Sequence, residues 1–224
     1  MSQPPIAARP GFAGPDDTLM SAMLARRTSL LVIDMQNDYC VPGGIISALG
    51  YDVSHFGGVA ARLNEFLEAS AEFLPHRIFV RTIAPSWPRS RALREHYART
   101  ALRREVDPTM SDWFGVAPSP DDPVVDKFRY SAFADTELDA LLRANGTETL
   151  LVAGVTTDVC VDTTVRSAFM LDYGVIVLSD CTGASTIERH QHTLGVLDQF
   201  FAMCRDSQAV LSALSAEPLR GRAD

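Results

Sequence analysis

The sequence predicts an α/β protein built on a mostly parallel, six-stranded sheet with helices on both faces. Two observations lead there. Short, continuous apolar runs such as "SLLVIDM" (29–35), "TLLVAGV" (149–155) and "GVIVLSD" (174–180) recur along the chain. They read as strands buried on both faces, because a strand with one wet face would alternate apolar and polar residues. Between them lie segments whose apolar residues fall at helical spacing. Such strand–helix alternation folds into a parallel sheet covered on both sides.

In chain order, residues 1–27 are rich in Pro, Gly and Ala and read as an extended N-terminal arm ahead of one domain, 28–224. The first strand, "SLLVIDM", is followed by a glycine-rich loop, "PGGIISALGYD". Val59, Leu63, Phe66 and Leu67 predict a helix over about 57–73. "RIFVRTI" (77–83) is the second strand. Residues 84–121 are less regular. Arg89, Arg91, Arg94, Arg99, Arg103 and Arg104 crowd a helix best read as a solvated face, and "TMSDWFGVAPSPDD" reads as loop. "PVVDK" is a short third strand. Leu138, Leu141 and Leu142 mark a helix from about 135 that stops at Asn145-Gly146, a C-terminal signal. "TLLVAGV" is the fourth strand, and Val161, Val165, Ala168 and Phe169 carry the next helix. "GVIVLSD" is the fifth strand. Ser185 and Glu188 form a capping-box pattern for a helix over about 186–198. "FFAMC" (200–204) supplies the sixth strand and "SQAVLSAL" the last helix.

Composition narrows the class. Hydrophobic residues make up 46% and charged residues 21% of 224 residues, ordinary for a globular protein. No apolar run approaches the roughly 20 residues of a membrane span. The first residues lack an apolar h-region, so a secretory signal is not expected. A net charge of −8 argues against nucleic acid or an anionic membrane as partner. Cys40, Cys160, Cys181 and Cys204 are scattered with no CxxC pair, which argues against a disulfide scaffold or a zinc module. Free thiols in a reducing cytoplasm are expected.

In parallel sheets ligands bind at the carboxyl ends of the strands, so the residues that close each strand carry the search for chemistry. The first strand runs into Asp34, the third ends at Lys127, and the fourth leads through "GVTTDVC" to Cys160. An acid, an amine and a thiol arrive at one rim. Lys127 is the only lysine beside 19 arginines. A lysine can shift its pKa and join in proton transfer, whereas arginine stays charged. Cys160 is placed in the first turn of a helix, where the dipole and a nearby ammonium lower a thiol pKa. Asp34 would be the base that takes the thiol proton and passes it to a leaving amine. Backbone N–H groups at the helix start, that of Cys160 among them, could hold the oxyanion. Each residue also has a structural reading: a packed cysteine, a turn-capping aspartate, and a lysine left over from compositional drift.

The motifs "LLVIDMQNDYC", "DKFRYSAFADTELDALLRANG" and "LLVAGVTTDVCVDTTVRSAFMLDYGVIVLSDC" resemble, in order and spacing, the isochorismatase-like cysteine hydrolases, over residues 29 to 182. The resemblance implies a doubly wound, Rossmann-like three-layer α/β/α fold. It also implies an Asp-Lys-Cys triad on Asp34, Lys127 and Cys160. It further implies a non-proline cis peptide at Val155-Thr156 that turns the Thr156 N–H toward the oxyanion beside that of Cys160. Nicotinamidases of this family carry a D-x-H metal motif after the second strand. This chain has "RTIAPSWPRS" there, and Asp52 with His55 is a weak ligand pair. No metal and no cofactor are therefore expected. The retained cysteine favours C–N hydrolysis, and "ALGYDVS" resembles the loop of the branch that hydrolyses ureido compounds.

Gln36 and Asn37, close behind Asp34, are candidates to orient it or to bind a substrate amide. Trp113 and Phe114 are candidates to line the pocket. An arginine of 89–104 could hold a substrate carboxylate. Arg166 reads as an ion-pair residue. Cys40, Cys181 and Cys204 read as inert, and His190 and His192 face different ways on their helix, which disfavours a shared metal. The expected activity is hydrolysis of a small amide or ureido compound through a thioester, releasing ammonia or carbamate, by a homodimer or homotetramer. The rivals are a vinyl-ether hydrolase that uses Asp34 alone as general acid, and a ligand-binding protein without catalysis.

Overall fold

The computed structural model describes residues 17–83, 90–100 and 107–216. Six strands form one sheet: β1 (Thr28–Ile33), β2 (Arg77–Thr82), β3 (Val124–Lys127), β4 (Thr149–Val155), β5 (Gly174–Gly183) and β6 (Met203–Arg205). Their order across the sheet is β3-β2-β1-β4-β5-β6, and every neighbouring pair is parallel. Strand order therefore runs outward in both directions from the β1/β4 pair. This is a doubly wound sheet, and the crevice between the diverging connections opens above β1 and β4.

Alternation along the buried strands feeds two cores. Leu30, Val32, Phe79, Leu151, Ala153 and Ile176 face one way, against α1 (Asp17–Leu24), α4 (Phe56–Ala69) and α9 (Ser207–Ala216). Leu31, Ile33, Ile78, Val80, Val152 and Val177 face the other way, against α6 (Leu138–Ala144), α7 (Asp162–Met170) and α8 (Ile187–Phe200). The glycine-rich loop after β1 holds two single-turn helices, α2 (Asn37–Cys40) and α3 (Ile45–Ala48), and the arginine-rich segment forms α5 (Arg91–Thr100). Leu93 and Tyr97 of α5 are buried, so its opposite, arginine-bearing face is the wet one.

Several sequence expectations need correction. Part of the expected extended arm, 17–24, is the helix α1, whose Met20 and Leu24 are buried in the first core. Residues 1–16 lie outside the described residues. β1 ends at Ile33, so Asp34 and Met35 lie just past it. The cap of α8 is Thr186, not Ser185: the Thr186 hydroxyl accepts from the Arg189 N–H at 3.3 Å. That helix continues through Phe200, which moves the sixth strand to Met203–Arg205. The helix start expected at Cys160 is a wider π turn, Thr157–Val161, that leads into α7.

Gly154 shows how closely β4 approaches β1. Its φ is +111°, and a Cβ there would meet the Ile33 carbonyl oxygen at 2.0 Å. Only glycine fits this position without moving the strand that delivers Asp34.

Candidate active site

The three strand-end residues meet. Lys127, the last residue of β3, is fully buried, and its ammonium lies 2.7 Å from Asp34 Oδ2. It also donates to Thr82 Oγ1 at 2.9 Å, to the Arg129 carbonyl at 3.0 Å and to Cys160 Sγ at 3.4 Å. Asp34 is fully buried and has a φ of +50°, in the left-handed region that aspartate tolerates better than most residues. Its N–H bonds the Val80 carbonyl at 2.8 Å, which ties the turn to β2. Thr82, at the end of β2, donates its hydroxyl proton to Asp34 Oδ1 at 3.1 Å while accepting from Lys127. Asp34 Oδ2 accepts no well-directed hydrogen bond despite its ion pair.

The electrostatics correct one expectation. Burial pushes the Cys160 thiol up to about 12; Lys127 pulls it down, and the Asp34 charge pushes it up again. Burial therefore favours the neutral thiol, against the pull of Lys127 toward the thiolate. Helix-dipole arguments assume a partly exposed cysteine, and Cys160 is buried in the second core cluster. For Lys127, burial favours the neutral amine, but the Asp34 charge and the hydrogen bonds to Asp34 and Cys160 outweigh it and hold the ammonium above its ordinary value.

The four substrate-binding candidates have other contacts. The Gln36 side chain is buried and used up: its amide donates to the Thr82 and Ser111 carbonyls at 3.0 and 2.9 Å and accepts from the Thr82 N–H at 2.8 Å. It pins the Asp34 turn to the end of β2. Asn37 donates to the Thr109 carbonyl at 3.1 Å, which fastens the helical turn Pro108–Ser111. Trp113 pairs with Gln36 as an isolated antiparallel bridge and meets Phe79 edge-on, with ring centroids 5.7 Å apart. The Phe114 N–H bonds the Met35 carbonyl at 2.8 Å. Both aromatics pack against the first core and hold the loop down.

Residue-by-residue reading missed Thr82 and two tyrosines. Tyr39 is held well above its ordinary value, first by burial and then by the Asp34 charge, while a Thr82 hydrogen bond works the other way. Tyr130 is raised by burial first, with Tyr97 and Cys160 adding to it. Burial keeps both phenols protonated. Their only sequence signal is proximity, five residues after Asp34 and three after Lys127.

Arg166 pairs with Asp162 at 2.8 Å, one helical turn away. Among the arginines of 89–104, Arg89, Arg103 and Arg104 lie outside the described residues. Asp52 accepts from the Ser54 N–H and hydroxyl, and His55 Nε2 lies 2.8 Å from the Ala184 carbonyl. Among the described residues, no three His, Cys, Asp or Glu side chains gather as a metal site would require. No helix among them is long and apolar enough to cross a membrane.

A buried Asp-Lys-Cys set in the crevice of a doubly wound sheet defines a class, and the comparisons agree with it. The isochorismatase domain model matches residues 28–209, and the chain belongs to that family. It is 33% identical over 216 residues to a ureidoacrylate amidohydrolase of Stutzerimonas stutzeri, covering 88% of this chain and 86% of that one. It is 36% identical over 206 residues to a ureidoacrylate amidohydrolase of Methylobacterium radiotolerans, covering 84% and 79%. Among solved structures, a cysteine hydrolase of Pseudomonas syringae pv. phaseolicola superposes with a TM-score of 0.73 at 28% identity, over 85% of this chain and 93% of that one. An N-carbamoylsarcosine amidase of Thermoplasma acidophilum shares the fold, with a TM-score of 0.63 at 24% identity over 81% and 96%.

Proposed function

We propose that this chain is a cysteine hydrolase that cleaves a C–N bond of a small amide or ureido compound. The observation that carries the reading is the contact of Cys160 Sγ, Lys127 Nζ and the Asp34 carboxylate in one buried crevice. The ureidoacrylate amidohydrolase relatives support the ureido class of substrate.

The chemistry follows from the charges. In the resting site Asp34 is the carboxylate and Cys160 the thiol. As the substrate carbonyl docks, the thiol proton passes to Asp34 Oδ2 and Sγ attacks the carbon. The N–H groups of Thr156 and Cys160 take the oxyanion. Collapse breaks the C–N bond, and the leaving nitrogen takes the proton from Asp34, so ammonia or an amine departs neutral. The acyl group now sits on sulfur as a thioester. A water gives a proton to Asp34 and attacks; collapse expels the thiolate, which recovers that proton. Acid or carbamate leaves. Throughout, the Lys127 ammonium offsets the negative charge as it moves between carboxylate and sulfur. Without it, a buried thiolate would face the full penalty of desolvation.

The test is ammonia release over a panel of carboxamides and ureido acids, with wild type and Cys160→Ala side by side. Turnover of at least one compound, lost in the variant by about a thousandfold or more, is expected. No turnover across the panel, or an alanine variant that keeps its rate, would sink the proposal. The second outcome would mean that the C–N bond is broken without Cys160 as nucleophile.

A further inference from the structure

A second polar cluster lies where the first turn of α8 meets the turn that carries Cys160. Thr157 and Asp158 begin that turn, and consecutive residues of α8 hold them. Thr157 Oγ1 is 2.9 Å from His190 Nδ1, and Thr157 is fully buried. The Asp158 carboxylate pairs with the Arg189 guanidinium. The Asp158 side chain is 8% exposed, and its other oxygen, Oδ1, is buried without a hydrogen-bond partner. Arg189 is thus the cation that makes burial of this carboxylate tolerable. The start of α8 is itself fixed, by the Thr186 cap and, just before it, by the His55 contact to the Ala184 carbonyl.

The nucleophile turn needs such support. The Thr156 carbonyl receives the N–H of Val159 and of Val161, both at 3.1 Å, where a regular helix would direct one N–H at it. Wide turns of this kind are rare, and they persist where their surroundings hold them. Burial keeps His190 below its ordinary pKa, so its ring stays neutral and Nδ1 can accept from the Thr157 hydroxyl.

We propose that Thr157, Asp158, Arg189 and His190 form a clamp that fixes the nucleophile turn, and so holds Cys160 Sγ against Asp34 and Lys127. The proposal rests on the reading of Cys160 as the nucleophile. None of the four needs to touch substrate. They act through Cys160 as positioning residues, and a displacement of about 1 Å at a reacting atom can cost on the order of a hundredfold in rate.

His190→Leu, His190→Asn, Thr157→Val and the double variant His190→Leu/Thr157→Val test it. The amide oxygen of asparagine can take the place of Nδ1, whereas leucine cannot. His190→Leu and Thr157→Val should each lower kcat at least about tenfold with KM within about twofold, and the double variant should be no worse than the poorer single. His190→Asn should return to within about threefold of wild type. A substrate-free readout separates this from the functional reading. Iodoacetamide labelling of Cys160, relative to Cys40, should slow about fivefold in His190→Leu and not in His190→Asn, because a thiol displaced from Lys127 loses the charge that favours its thiolate. If no panel compound is turned over, the functional reading fails and labelling alone decides the clamp. Unchanged kcat and labelling in His190→Leu, additive losses in the double variant, or an asparagine variant as impaired as leucine would each overturn it. Should His190→Leu fail to fold, Thr157→Ser against Thr157→Val carries the same contrast, since serine keeps the hydroxyl.

Discussion

At the scale of single residues, the site turns on Lys127. Its ammonium has four close partners at 2.7 to 3.4 Å and no exposure. A guanidinium keeps the charge but is wider and delocalised. Lys127→Arg therefore separates charge from size. We expect it to lose at least about two orders of magnitude in single-turnover ammonia release while thermal melting still shows a folded protein. A folded Arg variant within a few-fold of wild type would mean that any cation serves. Alanine would be the poorer test, because it strands the buried Asp34 carboxylate and can cost about 3–5 kcal/mol of stability. Cys160 gives a second expectation. With its thiol pushed up to about 12, labelling by iodoacetamide in the absence of substrate should still be rising well above the free-cysteine value of about 8.5. A plateau near pH 7 would restore the preformed thiolate. Asp34, Lys127 and Cys160 were legible in the sequence because parallel sheets place strand ends on one rim. The thiol's protonation was not, because burial is a sum over tertiary neighbours that no motif records.

At the scale of elements, the close approach of β4 to β1 sets where Asp34 and the nucleophile turn meet. Gly154→Ala puts a Cβ 2.0 Å from the Ile33 carbonyl at a φ of +111°. Strand displacement or unfolding should follow, with a loss of about 3 kcal/mol or more in denaturant unfolding. A loss under about 1 kcal/mol would show that β4 can shift freely. Strands were well legible: "TLLVAGV" is β4 residue for residue. Helix α1 was not, because nothing but its packing of Met20 and Leu24 against the core distinguishes 17–24 from an arm. The cap of α8 was misplaced by one residue because Ser185 and Thr186 are equivalent cap chemistries, and only the entry of the chain from β5 selects between them. The π turn at Thr157–Val161 was not legible either, since strand and helix periods carry no sign of it.

At the scale of the whole molecule, buried thiols couple stability to alkaline pH. Cys40, Cys160 and Cys181 are buried, and burial is the first cause that pushes each to about 12. In the unfolded chain they titrate near 8.5. The folded state thus binds the protons more tightly, and this contribution is fully present below about pH 8.5 and lost as pH rises toward 12. The melting temperature should fall steadily from about pH 9 to pH 11, and less so in a Cys40→Ala/Cys181→Ala variant. A flat profile over that range would contradict the burial of these thiols. The doubly wound sheet was legible from strand–helix alternation and from the family resemblance. The loop contacts that Gln36, Trp113 and Phe114 make were not, because loop geometry has no period to read.

The mechanism stands on the acylation of Cys160 during turnover. The direct measurement is intact-protein mass spectrometry of enzyme mixed with a turned-over amide or ureido compound and quenched in acid within the first turnovers, followed by peptide mapping. An added mass equal to the acyl or carbamoyl fragment is expected, carried on the peptide that contains Cys160 and absent from Cys160→Ala. Turnover with no adduct on Cys160 in the wild type, and undiminished ammonia release from the alanine variant in the same quench, would contradict it.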